Sequence, residues 1–233
     1  MCTTARSAPS SLSVAIMQPY FIPYAGYFRL FAASDLFVIY DCVQFPRRGW
    51  VHRNKMFAAD GRERWLTLPL VKMPREVRIR DLSFRADAAA ILQEQLRRIP
   101  LLATPEQPES EILDALKCVV GTPVDYLERL LREIVASLGL RWHTIRSSSL
   151  DVPDSLHGED RIIEIARRLG ATRYINAPGG RALYDPERFT AAGIELQFLS
   201  HYPGPSSSIL HRLFQEDRPS LSNDILAASH TSR

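Results

Sequence analysis

Short apolar runs of strand length alternate along this chain with stripes of apolar residues at helical spacing. VAIM at 14–17 is apolar and partly β-branched, and it breaks at Gln18-Pro19. The following stretch, YFIPYAGYFRLFAAS, repeats Tyr27, Leu30 and Phe31 at helical spacing, and LFVIYD at 36–41 has the pattern of a buried strand. Strand, loop, helix, strand is usually joined as a parallel crossover, and open α/β sheets hold ligands in the loops at the carboxyl ends of their strands. QPYFIPYAG and DCVQFPRRGW fall at two such ends, so these loops are expected to line one crevice.

Further along, RWLTLPL (64–70) and VRIRDLSF (77–84) read as two strands around a Lys-Met-Pro turn. A helix is predicted over 86–99, ended by Pro100 and the Pro105/Pro108 loop, and another over 109–120. Thr122-Pro123 supplies an N-cap and a first-turn proline for a helix whose stripe runs from Leu127 to Leu138 and stops at Gly139. WHTIRSS (142–148), RYINA (173–177) and IELQFL (194–199) read as strands, separated by the amphipathic EDRIIEIARRLG and a short helix at DPERFTAAG. The alternation predicts an α/β fold, a mostly parallel sheet with flanking helices and a helical insertion at about 86–138. Residues 13–220 are expected to form one domain between a disordered 1–12 and a C-terminal tail at 221–233.

A chain of 233 residues with 45% apolar content can bury a sizeable core. Cys2, Cys42 and Cys118 are widely spaced and form no CxxC or zinc-ligand pattern, so a reducing compartment and no metal are expected. VAIM is too short for a signal segment or a membrane span, which points to the cytoplasm. The net charge is only +3, yet residues 41–80 hold ten Lys/Arg against four Asp/Glu, a local +6 that leaves −3 elsewhere. That excess favours an anionic ligand over a merely solvated basic rim, while a net +3 without a basic helix or RNA motif argues against nucleic acid.

The candidate chemistry gathers in the same regions. NAPGGRALY (176–184) lacks both the P-loop and dinucleotide signatures. Its Gly179-Gly180 pair allows either close backbone approach to a ligand beside Arg181 or a tight turn at positive φ. The six histidines make no HxxxH, and there is no GxSxG elbow. Asp41, at a strand end, is a candidate base, a ligand for an amine or hydroxyl, or the partner of Arg48 or Arg53. Cys42 beside it is either a thiol activated by arginines or an incidental buried one. Tyr20 and Tyr24, flanked by prolines, are expected to line the loop as stacking surfaces.

The stretches at 16–56 (IMQPYFIPYAG through PRRGWVHRNKM), WLTLPL at 65–70 and RIIEIARRLG through AAGIELQFL at 161–199, with a weaker SILHRLF at 208–214, resemble the WbqC-like protein family. Carried over by position, the family's pattern matches at Gln18, Tyr20, Asp41, Gln44, Arg48, Trp50, Arg53 and Asn54, and at Gly179, Gly180, Arg181 and Tyr184. It departs at Cys42, where a second acid is usual, at His52, where an asparagine is usual, and at His211, where an aspartate is usual. The resemblance implies a bacterial biosynthetic accessory of surface-polysaccharide (O-antigen) or specialised-metabolite pathways, with transfer of an acyl or aminoacyl group to an amine as the fitting reaction.

The expected site therefore has Arg47, Arg48 and Arg53 holding phosphate or carboxylate, Gln18, Gln44 and Asn54 orienting polar groups, and Asp41 as base. His52, Tyr20, Tyr24, the diglycine loop, Arg181 and Tyr184 complete it. No metal or nucleotide cofactor is expected; a phosphopantetheine-linked donor on an acyl carrier protein would account for the basic rim. Two alternatives stand beside this reading. One is a nucleotidylyltransferase-like enzyme, although Pro23-Tyr24-Ala25-Gly26 occupies the place of its histidine motif; the other is a non-catalytic module that binds a carrier protein or a glycosyltransferase.

Overall fold

The computed structural model describes residues 11–58, 60–102 and 110–232. The expected disordered segment 1–12 lies outside these residues except for Ser11 and Leu12, as does the Pro105/Pro108 loop. The chain runs through β1 (Ser13–Met17), α1 (Ala25–Ala33), β2 (Leu36–Ile39), a hairpin of β3 (Arg53–Phe57) and β4 (Glu63–Thr67), and the helices α2 (Ala88–Arg97), α3 (Ser110–Lys117) and α4 (Pro123–Ser137). It continues with β5 (Thr144–Arg146), α5 (Gly158–Arg168), β6 (Arg173–Asn176), α6 (Pro186–Ala191), β7 (Glu195–Leu199), α7 (Ile209–Leu213), α8 (Arg218–Ala227) and β8 (Thr231–Ser232).

The main sheet has the order β5-β2-β1-β6-β7-β8, parallel except for the antiparallel edge strand β8, so the fold is α/β as the alternation predicts. The unbroken apolar runs arise because both faces are covered. Val14 and Ile16 of β1 and Leu36 and Val38 of β2 enter a core with Ile162 and Ile165 of α5 and Phe189 of α6. Ala15, Phe37 and Ile39, one residue out of phase, enter a second core with Tyr27 and Phe28 of α1 and the stripe of α4. The strand order reverses between β1 and β6, so the loops after these strands flank the crevice where such sheets place ligands.

Two expectations are corrected. VRIRDLSF is not a strand: it holds a 3-10 turn at Ile79–Asp81, joined to the segment after β2 by Phe45 N–H to Val77 O (2.8 Å) and Ile79 N–H to Val43 O (2.9 Å). The partner of β4 is β3, which lies just after the DCVQFPRRGW loop, where the pattern predicts no strand. Charge concealed its period: Asn54 and Met56 point inward while Arg53, Lys55 and Phe57 point out. Of the stretch expected as a tail, residues 221–232 are packed: α8 buries Leu221 and Ile225 against α1, with Asp217 capping its first turn, and β8 pairs with β7. The stretch 86–138 carries α2, α3 and α4.

Candidate functional site

The loop after β1 is tied down at nearly every residue. Tyr27 Oη donates to Gln18 O (2.8 Å), Phe21 N–H to Trp50 O (2.9 Å) and Ile209 N–H to Pro23 O (2.8 Å). Asn54 Nδ2 donates to the carbonyls of Phe21 (3.2 Å) and Ile22 (2.7 Å), and the buried hydroxyl of Ser208 also donates to Ile22 O at 2.9 Å. Between these clamps Ile22 sits at φ 41°, a conformation that β-branched residues strongly disfavour. The held loop turns Tyr20 and Tyr24 into a cavity of about 210 Å³, shared with Pro23, Trp50, Asn54 and Ser206. Burial raises both phenols above their ordinary range, so they remain protonated and able to donate.

Asp41 occupies a different setting from the one expected of a base. It is 1% exposed, and its carboxylate accepts from Ser147 Oγ (2.9 Å), Ser148 N–H (2.9 Å) and Ser148 Oγ (2.6 Å). Neither Arg48 nor Arg53 pairs with it; the carboxylate is a bolt between the end of β2 and the turn after β5. The neighbouring Cys42 is buried, with Arg161 Nη1 at 3.3 Å from its sulfur and the same guanidinium donating to Leu156 O and Pro153 O.

The cations of the basic stretch after β2 separate. Arg47 donates to Met73 O at 2.6 Å and lines a cavity of about 490 Å³. Phe45, Leu68, Leu70 and Val77 give this open groove an apolar floor, Lys72 and Arg85 add two cations, and no aspartate or glutamate lines it. Arg85 is held by both oxygens of Asp87, each at 2.8 Å. His52 also lines this cavity, edge-on to Phe45, with its buried Nδ1 lacking a hydrogen-bond partner. Burial, with the charge of Arg53 adding to it, holds the imidazole down at about 4, so it is neutral near pH 7. Arg48 is exposed and its carbonyl accepts from Arg53, whose guanidinium lies 4.3 Å from the Trp65 ring centroid. Gln44 Nε2 donates to Arg75 O at 2.8 Å.

The diglycine loop forms a 3-10 turn, Pro178–Leu183, and neither glycine adopts positive φ. Gly180 is required for space: a Cβ there would overlap the Asn176 amide, whereas Gly179 faces open space. Arg181 folds back over the Phe198 ring at 4.7 Å and, with Tyr184, lines a separate cavity of about 650 Å³ along β7.

The expected single crevice is thus three cavities. One gathers Tyr20, Tyr24 and Asn54, a second Arg47 and His52, a third Arg181 and Tyr184. Sequence reasoning missed Ser208, whose partner Ile22 is distant in the chain, and also Ser147 and Ser148 as the partners of Asp41. Lys72 and Arg85 were legible as charge, but not as walls of the Arg47 cavity. Among the described residues, no three His, Cys, Asp or Glu side chains are gathered as a metal site needs.

The family model of the WbqC-like protein family matches residues 18–216, from the strained loop through α7. The chain belongs to this family. A curated relative, the uncharacterized protein Rv1507c of Mycobacterium tuberculosis (strain ATCC 25618 / H37Rv), is 28% identical over 194 residues, covering 81% of this chain and 82% of that protein. No solved structure matches the chain. In this WbqC-like chain all three cavities draw their lining from within the matched span, whereas α8 and β8 fall beyond it. No helix among the described residues is long and apolar enough to cross a membrane.

Proposed function

We propose that this WbqC-like protein is a biosynthetic transferase that moves an activated acyl or aminoacyl group from an anionic thioester donor to an amine. The observation that supports it is the cavity of about 490 Å³, apolar within and lined by Arg47, Lys72 and Arg85 without an acid. Such a site suits a donor with an apolar acyl part and a phosphate or carboxylate at its other end. Arg47 and Lys72 hold the anion, Arg85 is neutralised by its two-pronged pair with Asp87 and serves as wall, and the apolar side chains take the acyl chain.

His52 is neutral at working pH and stands at the same wall. In the transfer the amine nitrogen bonds to the acyl carbon, the carbon–sulfur bond breaks, and the amine proton passes to His52 and on to the departing thiolate. Asp41, fully engaged by three donors, serves as scaffold, and Asn54 positions the loop that carries Tyr20 and Tyr24. The reading is tested by incubating the chain with an acyl-pantetheine thioester and an amine, following thiol release. His52→Ala is expected to slow release at least tenfold, with His52→Asn retaining more; release independent of the chain rejects the reading.

A nucleotide-dependent reading draws on the strand order, which places the loops after β1 and β6 at the switch point. Melting in ATP or CTP tests it, since saturation at a hundred times Kd stabilises by about 2.7 kcal/mol.

A further inference from the structure

The hairpin has an outer face unlike the rest of the surface. Strand alternation sends Asn54, Met56 and Leu66 inward and leaves Arg53, Lys55, Phe57 and Trp65 outward. The exposed large aromatics among the described residues are Trp50 (43% exposed), Phe57 (45%) and Trp65 (43%), and all three belong to this hairpin or the loop leading into it. The Trp50 and Trp65 rings lie 5.7 Å apart, and the Arg53 guanidinium and Lys55 ammonium approach the Trp65 ring to 4.3 and 5.6 Å. Two half-exposed indoles flanked by cations form an apolar and cationic patch larger than the isolated domain needs, and Trp and Arg are the side chains on which interface energy concentrates.

The charge of the face selects its occupant. Glu63, its acid, is taken up by Lys55 at 2.8 Å, while Arg53 donates to the Arg48 carbonyl at 3.1 Å and stacks on the Trp65 ring with no carboxylate partner among the described residues. An acidic surface with apolar side chains complements this pattern. Thr67, which pairs with Arg53 across the hairpin, lines the Arg47/His52 cavity, so an occupant of this face sits at the edge of the proposed thioester site, while Trp50 borders the separate Tyr20/Tyr24 cavity. The geometry points to the β3/β4 outer face as the docking surface for an acidic carrier protein that presents the thioester donor. This rests on the thioester reading of the neighbouring cavity and adds the partner and its contact residues.

The test is fluorescence polarisation of a labelled holo-acyl carrier protein titrated with the full chain at low and high salt. Trp65→Ala and Arg53→Glu are run in parallel with Arg167→Glu on the opposite side, each first shown to melt as a folded protein. Binding that weakens with salt, drops at least tenfold in the two face variants and is unchanged in Arg167→Glu is expected. Absent binding, equal binding by all variants, a labelled oligonucleotide bound with this variant pattern in place of the carrier, or a Trp65-dependent dimer in sedimentation overturns the assignment. Free 4′-phosphopantetheine thioester is titrated alongside. If it binds and the carrier does not, the docking face fails and the cavity reading stands; if neither binds, the cavity reading fails as well.

Discussion

Asn54 on β3 donates to the carbonyl of Ile22 at 2.7 Å and thereby helps hold a β-branched residue at φ 41°. The second clamp on that carbonyl is Ser208, brought in from just before α7. Asn54→Ala leaves two loop carbonyls short of a donor and the strain less opposed. A loss of about 2 kcal/mol in denaturant unfolding is expected, together with faster amide exchange at Phe21. An unchanged midpoint and exchange rate would show that the loop holds its shape without Asn54.

Asp41 is predicted to matter for stability first. Its carboxylate accepts three hydrogen bonds in a buried site, and in Asp41→Asn the amide hydrogens face those donors. A cost of about 3 kcal/mol is expected, measured by thermal and denaturant melting. A variant that melts like wild type yet is inactive would restore Asp41 as a base.

His52 gives the chain a pH dependence whose sign is fixed. Its folded value, about 4, lies below that of a free imidazole, so as pH falls from about 6.5 the unfolded chain takes up the proton first. Stability from this group is full above that window and is lost down to about pH 4. Burial lowers His211 too, which acts in the same direction. Melting between these pH values should fall more steeply in wild type than in His52→Asn, and parallel curves would contradict the assignment.

The glycine pair separates by packing. Gly180→Ala is expected to lower the melting temperature by several degrees, because its methyl meets the Asn176 amide, and Gly179→Ala to leave it nearly unchanged. Equal effects would mean that the loop moves to accommodate either.

The sheet and its helices were legible because β1, β2 and β6 are buried on both faces, β7 alternates buried Leu196 and Phe198 with half-buried Glu195 and Gln197, and α4 and α5 carry clean apolar stripes. β3 was not, since its inward positions include Asn54, a polar residue whose partners are main-chain carbonyls more than thirty residues away. The cationic loop was visible as charge, but where each guanidinium goes depends on Met73 for Arg47 and Trp65 for Arg53, contacts that no local pattern encodes. Of the two readings of the diglycine pair, the positive-φ turn is not the one found: neither glycine has positive φ, and Gly180 is small because Asn176 fills the space beside it.

The central claim is that the cavity bearing Arg47, Lys72 and His52 accepts an anionic thioester. Calorimetric titration of the folded chain with 4′-phosphopantetheine thioester tests it most directly, comparing wild type with Lys72→Glu and Arg47→Glu. One-to-one binding that weakens at least tenfold in each variant, about 1.4 kcal/mol or more, is the predicted result. Binding of equal strength in all three proteins, or none in wild type, would contradict it.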